Sequence, residues 1–163
     1  MTLEFATAHV DDAGDIVAFH TAVSAHLETI PGARPWKVPS RDRVARTMPS
    51  TETVLAREGG AIVALFRLDP ARGFCGVARF TEVESFVYLL EMAVHPSRAR
   101  RGIGRQCLEE AERRARARHA GAIRLDTNDD GVGAAAFYAA CGYREVLHFA
   151  DTRYFERLLP LLG

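Results

Sequence analysis

The segment MAVHPSRARRGIGRQCLEEAE, from Met92 to Glu112, sets Arg98, Arg100, Arg101 and Arg105 around the triplet Gly102-Ile103-Gly104. An apolar run ends just before the arginines, and an amphipathic pattern begins within the triplet. A helix start offers N–H groups that have no intrahelical acceptor, together with a partial positive charge, and so suits an anion. Glycine at 102 and 104 lets oxygens approach the backbone, and the guanidiniums add charge-assisted hydrogen bonds. Phosphate capture is the chemistry such a turn could perform. The same composition occurs in turns with no ligand, and on these residues alone both readings stand.

Two phosphate motifs are excluded. There is no G-x-x-x-x-G-K-[ST], and G-x-G-x-x-G fails because position 107 is Cys. A nucleic-acid surface is a further reading, since eight arginines and only three glutamates lie between Arg98 and Arg118. Against it, the formal net charge is zero, and Arg113, Arg114, Arg116 and Arg118 follow the polar side of a helix, where a solvated face accounts for them. The expectation is therefore no nucleic-acid partner.

The 163 residues, 48% hydrophobic and 26% charged, suffice for one soluble domain with a substantial core, spanning 1–163. Cys75, Cys107 and Cys141 have no metal-like spacing and sit beside apolar residues. His20 and His26, six apart on a helical pattern, do not share a face, so no metal site is expected. The start MTLEFATAHVDDAGD lacks the basic and apolar regions of a signal peptide, and no stretch is apolar for long enough to span a membrane. A reduced cytoplasm and no membrane partner are the expected setting.

Positioning the turn requires a fold, and the pattern supplies an order of elements. Thr2 to His9 alternates as a strand, and Asp11 or Asp12 can cap a helix carrying Ile16, Phe19, Val23 and Leu27. Thr29 to Ser40, with three prolines and a glycine, is a loop, and Arg41 to Thr47 is a short helix. Thr53 to Arg57 and Ala61 to Leu68 form a hairpin across Gly59-Gly60, followed by a loop from Asp69 to Gly76. Glu84 to Val94 reads as a central strand covered on both faces. Gly102 to His119 is a helix, Ala122 to Thr127 a strand, and Gly131 to Ala140 a helix stopped by Gly142. Tyr143 to Phe149 and Thr152 to Leu159 are two closing strands. This is an α/β order whose final hairpin makes the sheet mixed. The apolar end Leu158-Leu159-Pro160-Leu161-Leu162 fits either a homodimer contact or an internal core face.

From Val94 onward, V-H-P-S-x-x-x-R-G-I-G-R, a helix, the strand L-D-T-N and then A-F-Y-A-A-C-G-Y-R-E follow in order. This series resembles the GCN5-related N-acetyltransferase family over Tyr88 to Leu147. The resemblance implies an acyl-CoA N-acyltransferase fold: one mixed, mostly antiparallel twisted sheet of about seven strands flanked by about four helices. It implies a substrate side over 1–87, an acetyl-CoA-binding core over 88–147 and a C-terminal strand over 148–163. The implied cofactor, acetyl-CoA, would rest its pyrophosphate on Arg100, Arg101, Gly102, Ile103, Gly104 and Arg105. Its pantetheine arm would enter a splay between two central strands and pair with backbone at Met92, Ala93 and Val94, with Asn128 turned toward it. Ala99 departs from the family's [Q/R]-x-x-G-x-[G/A], and Arg98 and Arg100 flank it as substitutes.

By the same resemblance Tyr138 is the general acid near the sulfur, and a backbone N–H near Val94 is the oxyanion donor. A phenol of pKa about 10 is protonated at neutral pH and can donate to a thiolate. An alkylamine of pKa about 10.4 is deprotonated in about one molecule in 2500 at pH 7, so a base matters. Glu91, a charge interrupting the apolar strand beside the implied seam, is the candidate; an arginine-paired strand-edge carboxylate is the plainer account of it. Glu82, Glu84 and His95 are weaker candidates, and water relays also serve the family. The acceptor, an amine of a small molecule or peptide attacking directly in a ternary complex, is expected against the first helix, the Thr29 to Ser40 loop and the final hairpin. Trp36 either lines that pocket or plugs the loop onto the domain. A non-catalytic acyl-CoA-binding or regulatory module is the alternative.

Overall fold

The computed structural model describes residues 2–70, 79–128, 131 and 133–160. Most of the expected loop from Asp69 to Gly76, with Cys75, lies outside the described residues, as do Leu161 and Leu162. The strands are β1 (Glu4–Thr7), β2 (Glu52–Glu58), β3 (Ala61–Asp69), β4 (Phe86–Val94), β5 (Ala122–Asn128), β6 (Arg144–Phe149) and β7 (Thr152–Leu158). They form one seven-stranded sheet in the order β1-β2-β3-β4-β5-β7-β6, in which only β4 and β5 run parallel. Four helices complete it: α1 (Ala13–Glu28), α2 (Arg41–Thr47), α3 (Ile103–Ala117) and α4 (Ala134–Ala140). The mixed sheet expected from the pattern, and its mostly antiparallel form implied by the resemblance, are what is found.

Strand alternation sends successive side chains to opposite faces. Val54 and Phe66, paired across β2 and β3, join Leu108 of α3 and Tyr138 of α4 in one core; their neighbours Leu55 and Leu65 join Ile16, Phe19 and Val23 of α1 and Val44 of α2 in another. The sheet thus separates α1 and α2 from α3 and α4. Cys107 and Cys141 are free and buried, and burial pushes the Cys107 thiol up to about 12. Leu159 is buried in the core while Phe149 and Leu158 are exposed, so the C-terminal apolar run serves the interior at Leu159.

Two local expectations change. Asp12 stands before α1 but makes no side-chain cap; its carboxylate instead accepts the His9 N–H at 2.8 Å and pairs with Arg57 at 2.7 Å. α4 begins at Ala134, since Gly133 sits at φ +87°, outside the helical region. The Gly59-Gly60 turn has both φ positive, as its hairpin needs, and Ser40 caps α2 by accepting the Arg43 N–H at 3.2 Å. Among the described residues no helix is long and apolar enough to cross a membrane.

The feature that shapes the site is a fork. β4 pairs with β5 only from Phe86 to Tyr88, opposite Ala122 to Arg124; β4 then continues on β3 alone and β5 on β7 alone. A bulge lies at the same place. Leu65 faces Ala93 and Arg67 faces Leu90, which inserts an extra residue into β4, and Glu91 there adopts φ +49°.

Candidate functional site

The fork opens a cavity of about 690 Å³. Leu89 to Met92 of β4, Asp126 to Asn128 of β5 and Tyr138 of α4 line one side; His20 of α1, the loop from Arg34 to Ser40 and Arg43 of α2 line the other. From Leu89 to Val94 the edge of β4 that turns from β3 has no strand partner among the described residues. Such an edge presents backbone groups that an extended ligand can pair with. Met92 packs toward the core under α3 and Ala93 toward the one under α1, so the side chains anchor the strand and leave its edge to the backbone.

After Val94 the chain passes through a 3-10 turn, Pro96–Arg98, and enters α3. Arg100 takes φ +61° and Gly102 φ +76°, bends that bring the arginines to the helix start. The helical ladder begins with the Gln106 N–H bonded to the Gly102 carbonyl at 3.2 Å, so the N–H groups of Ile103, Gly104 and Arg105 have no helical acceptor. Arg100, Arg101 and Arg105 are exposed, and among the described residues none has a carboxylate partner. Arg98 differs, since its Nε donates to Glu58 at 2.8 Å, which leaves Arg100 as the free cation beside Ala99.

Along α3, Arg113 and Arg114 pair with Glu110, and Arg114 and Arg118 pair with Glu52 of β2. These arginines are thus tied by carboxylates within the fold, and Arg116 donates to the Pro160 carbonyl at 2.9 Å.

The two glycines of the turn have different reasons. Gly102 needs its positive φ and has open space around it. A methyl on Gly104 would lie 3.0 Å from the Phe137 ring, so this glycine lets the start of α3 pack on α4. Gly104→Leu is expected to cost about 1–3 kcal/mol by overpacking, lowering the thermal midpoint by roughly 2–12 °C in a circular dichroism melt. Gly104→Ala should cost less, because the end of one ring can shift.

Tyr138 is buried, edge-on to Phe137 at 5.4 Å and to Tyr143 at 5.9 Å between ring centroids. Burial first, and then the Asp126 carboxylate, push its phenol above the ordinary range. Tyr138 is thus both a core aromatic and part of the cavity wall. Asn128, the last residue of β5, is exposed at the mouth opposite Thr152.

Glu91 lines the cavity and is ion-paired to Arg67 at 3.2 Å, the arginine-paired carboxylate of the plainer account. Glu82, Glu84 and His95 are absent from the described wall; His95 instead accepts the Ser97 N–H and caps its turn. Trp36 both lines the cavity and plugs the loop: it packs on the α1 core, and its carbonyl accepts the Ser24 hydroxyl at 2.8 Å. The final hairpin contributes no described lining residue; an exposed ion pair of Asp151 with Arg34 ties it to the loop.

His20 is what the sequence reading missed. Spacing relates it only to His26, which is exposed, whereas His20 is 4% exposed on α1 with its ring 5.3 Å from Trp36. Desolvation lowers its pKa, and the Glu91 charge acts in the opposite direction. The available signal was its place in the series Ile16, Phe19, His20, Val23, which sets it on the buried face.

A model of the acetyltransferase (GNAT) family matches residues 19–143. No curated protein matches the chain. Among solved structures, the GNAT domain of S. lividans PAT is 21% identical with a TM-score of 0.77, covering 98% of this chain and 92% of that one. The PaiA N-acetyltransferase from Thermoplasma acidophilum, solved in complex with coenzyme A, is 13% identical with a TM-score of 0.77, covering 98% and 100%. YncA from Salmonella typhimurium, solved with acetyl-CoA, is 13% identical with a TM-score of 0.71, covering 98% and 95%. At these identities the shared property is the fold.

Proposed function

The chain belongs to the acetyltransferase (GNAT) family, and we propose that it transfers an acetyl group from acetyl-CoA to an amine within the fork between β4 and β5. The observation that carries this reading is the end of β4–β5 pairing at Tyr88 and Arg124, which opens the cavity where a β4 edge, Tyr138 and Glu91 converge. The residues present suit the coenzyme. Free guanidiniums at Arg100, Arg101 and Arg105, with the N–H groups of Gly102, Ile103 and Gly104, would hold its phosphates. The open edge at Met92, Ala93 and Val94, together with Asn128, would take its extended arm.

Acetyl-CoA supplies the reactive thioester, and the chain supplies orientation and protons. Tyr138 holds a proton at its hydroxyl, and Glu91 places a negative charge in the cavity wall. The division of labour follows the two sides of the cavity: residues 1–87 contribute His20, Trp36 and Arg43 to the acceptor side, 88–147 the donor side, and within 148–163 the strand β7 backs β5. A cytoplasmic setting fits the unpaired Cys107 and Cys141.

Calorimetric titration with acetyl-CoA should show one site per chain, with dephospho-coenzyme A binding more weakly if the 3′-phosphate is gripped as well. A screen of amines with thiol detection should then release coenzyme A. Binding without turnover against a broad panel would favour the non-catalytic acyl-CoA module, and no binding would refute the donor assignment.

A further inference from the structure

His20 sits on the apolar face of α1, yet none of the described residues hydrogen-bonds to its ring. Its Nδ1 is sealed from solvent without a partner, while its Nε2 is not sealed. Buried polar atoms that only fill space are nearly always bonded, so an orphaned nitrogen in a cavity wall calls for an explanation. The ring lines the fork cavity and also a smaller one of about 80 Å³ behind it, and the two share Glu91 and Arg43. The charged groups facing the ring are Glu91 from β4, Arg67 from β3 and Arg43 from α2.

Burial disfavours a charged ring, so the resting ring is neutral; in the tautomer with its proton on the sealed Nδ1, the Nε2 lone pair is turned to the cavity and is the atom that can take a proton. Burial holds its pKa below the ordinary histidine value, in agreement with that geometry. The Glu91 carboxylate is already committed to Arg67 at 3.2 Å, whereas the His20 ring lines the same cavity with no hydrogen-bond partner among the described residues.

We infer that His20 accepts the proton of the acceptor amine, with Glu91 as the carboxylate that steadies the imidazolium formed. The inference rests on the acetyltransferase reading above. The acceptor arrives as an ammonium and gives one proton to His20, which passes it to water at the cavity mouth. The freed nitrogen lone pair forms the C–N bond as the C–S bond breaks. The sulfur takes its proton from Tyr138, which is restored by the second proton leaving nitrogen. One amide, one thiol and one proton in solution result, which balances the ammonium and thioester consumed.

The test compares wild type with His20→Gln from about pH 6 to about pH 9.5, measuring kcat, KM and, by calorimetry, acetyl-CoA affinity. The expected result is donor affinity within about twofold and kcat down about 10²-fold or more at pH 7, with the deficit shrinking as pH approaches the amine's own pKa. Glu91→Gln should move the acid limb of kcat/KM to lower pH, because the charge that raises the His20 pKa is gone. In wild type that limb should coincide with the imidazole titration of His20 followed by NMR, a comparison that needs no variant to fold. A His20→Gln deficit constant with pH, or an NMR titration displaced from the limb, overturns the role of His20 alone. A wild type that binds acetyl-CoA yet acetylates no amine overturns the transferase reading and this inference together.

Discussion

Tyr138→Phe is expected to lower kcat by about 10²-fold or more while leaving acetyl-CoA affinity within about twofold. The substitution removes one oxygen and keeps the ring, so the contacts with Phe137, Tyr143 and Phe155 that place α4 on the sheet survive. A hundredfold loss corresponds to about 2.7 kcal/mol of transition-state stabilisation, within the range of a single positioned proton donor. Burial raises the phenol pKa above its ordinary value, so the group stays protonated throughout the working range. Two consequences follow. The deficit of Tyr138→Phe should be nearly constant with pH, in contrast to that of His20→Gln. The raised pKa also makes full ionisation of the phenol costly, which favours a donor whose proton is replaced as it leaves. Single-turnover thiol release at several pH values measures both, and full kcat in the variant at every pH would remove Tyr138 from the reaction.

The sequence disclosed the elements far better than their meeting points. Helices and strands followed from periodicity, and Gly59 and Gly60 marked a turn that local chemistry decides. The fork was different. Glu84 to Val94 reads as an apolar strand covered on both sides, and nothing in its composition says that β5 leaves it after Tyr88; where pairing stops depends on the sheet as a whole. The splay was anticipated only through the family resemblance. Glu91 was visible as a misplaced charge, but the bulge that aims it has no sequence mark, since positive φ at a non-glycine residue is imposed by its neighbours.

Tertiary partners account for the other differences. The sequence cannot show that Arg98 belongs to Glu58, that Arg114 and Arg118 belong to Glu52, or that Gly104 answers to Phe137. His20 was legible as a core position. Its orphaned nitrogen and its nearness to Glu91 arise only when α1 is laid across the sheet from β4.

Those pairings also decide which arginines matter for the donor. Arg100, Arg101 and Arg105 are exposed at the start of α3 with no carboxylate partner among the described residues, so replacing all three by Gln should weaken acetyl-CoA binding about 10²-fold or more. The estimate takes about 1 kcal/mol per exposed charge-assisted contact, below the range for buried ones because solvent and salt screen them. Since these side chains are not placed at the reacting atoms, kcat at saturating donor should change little while the donor KM rises. Wild-type affinity should fall with added salt, and the triple variant should lose most of that dependence. Arg98→Gln and Arg118→Gln each remove one positive charge, against three in the triple variant, and the cations they remove are already held by Glu58 and Glu52, so their effect on donor affinity should be small. If these variants weaken binding as much per charge removed as the triple substitution does, general electrostatic attraction governs donor affinity and the turn before α3 has no special part in it. If only the triple variant loses affinity, the geometry of that turn is what selects the phosphates.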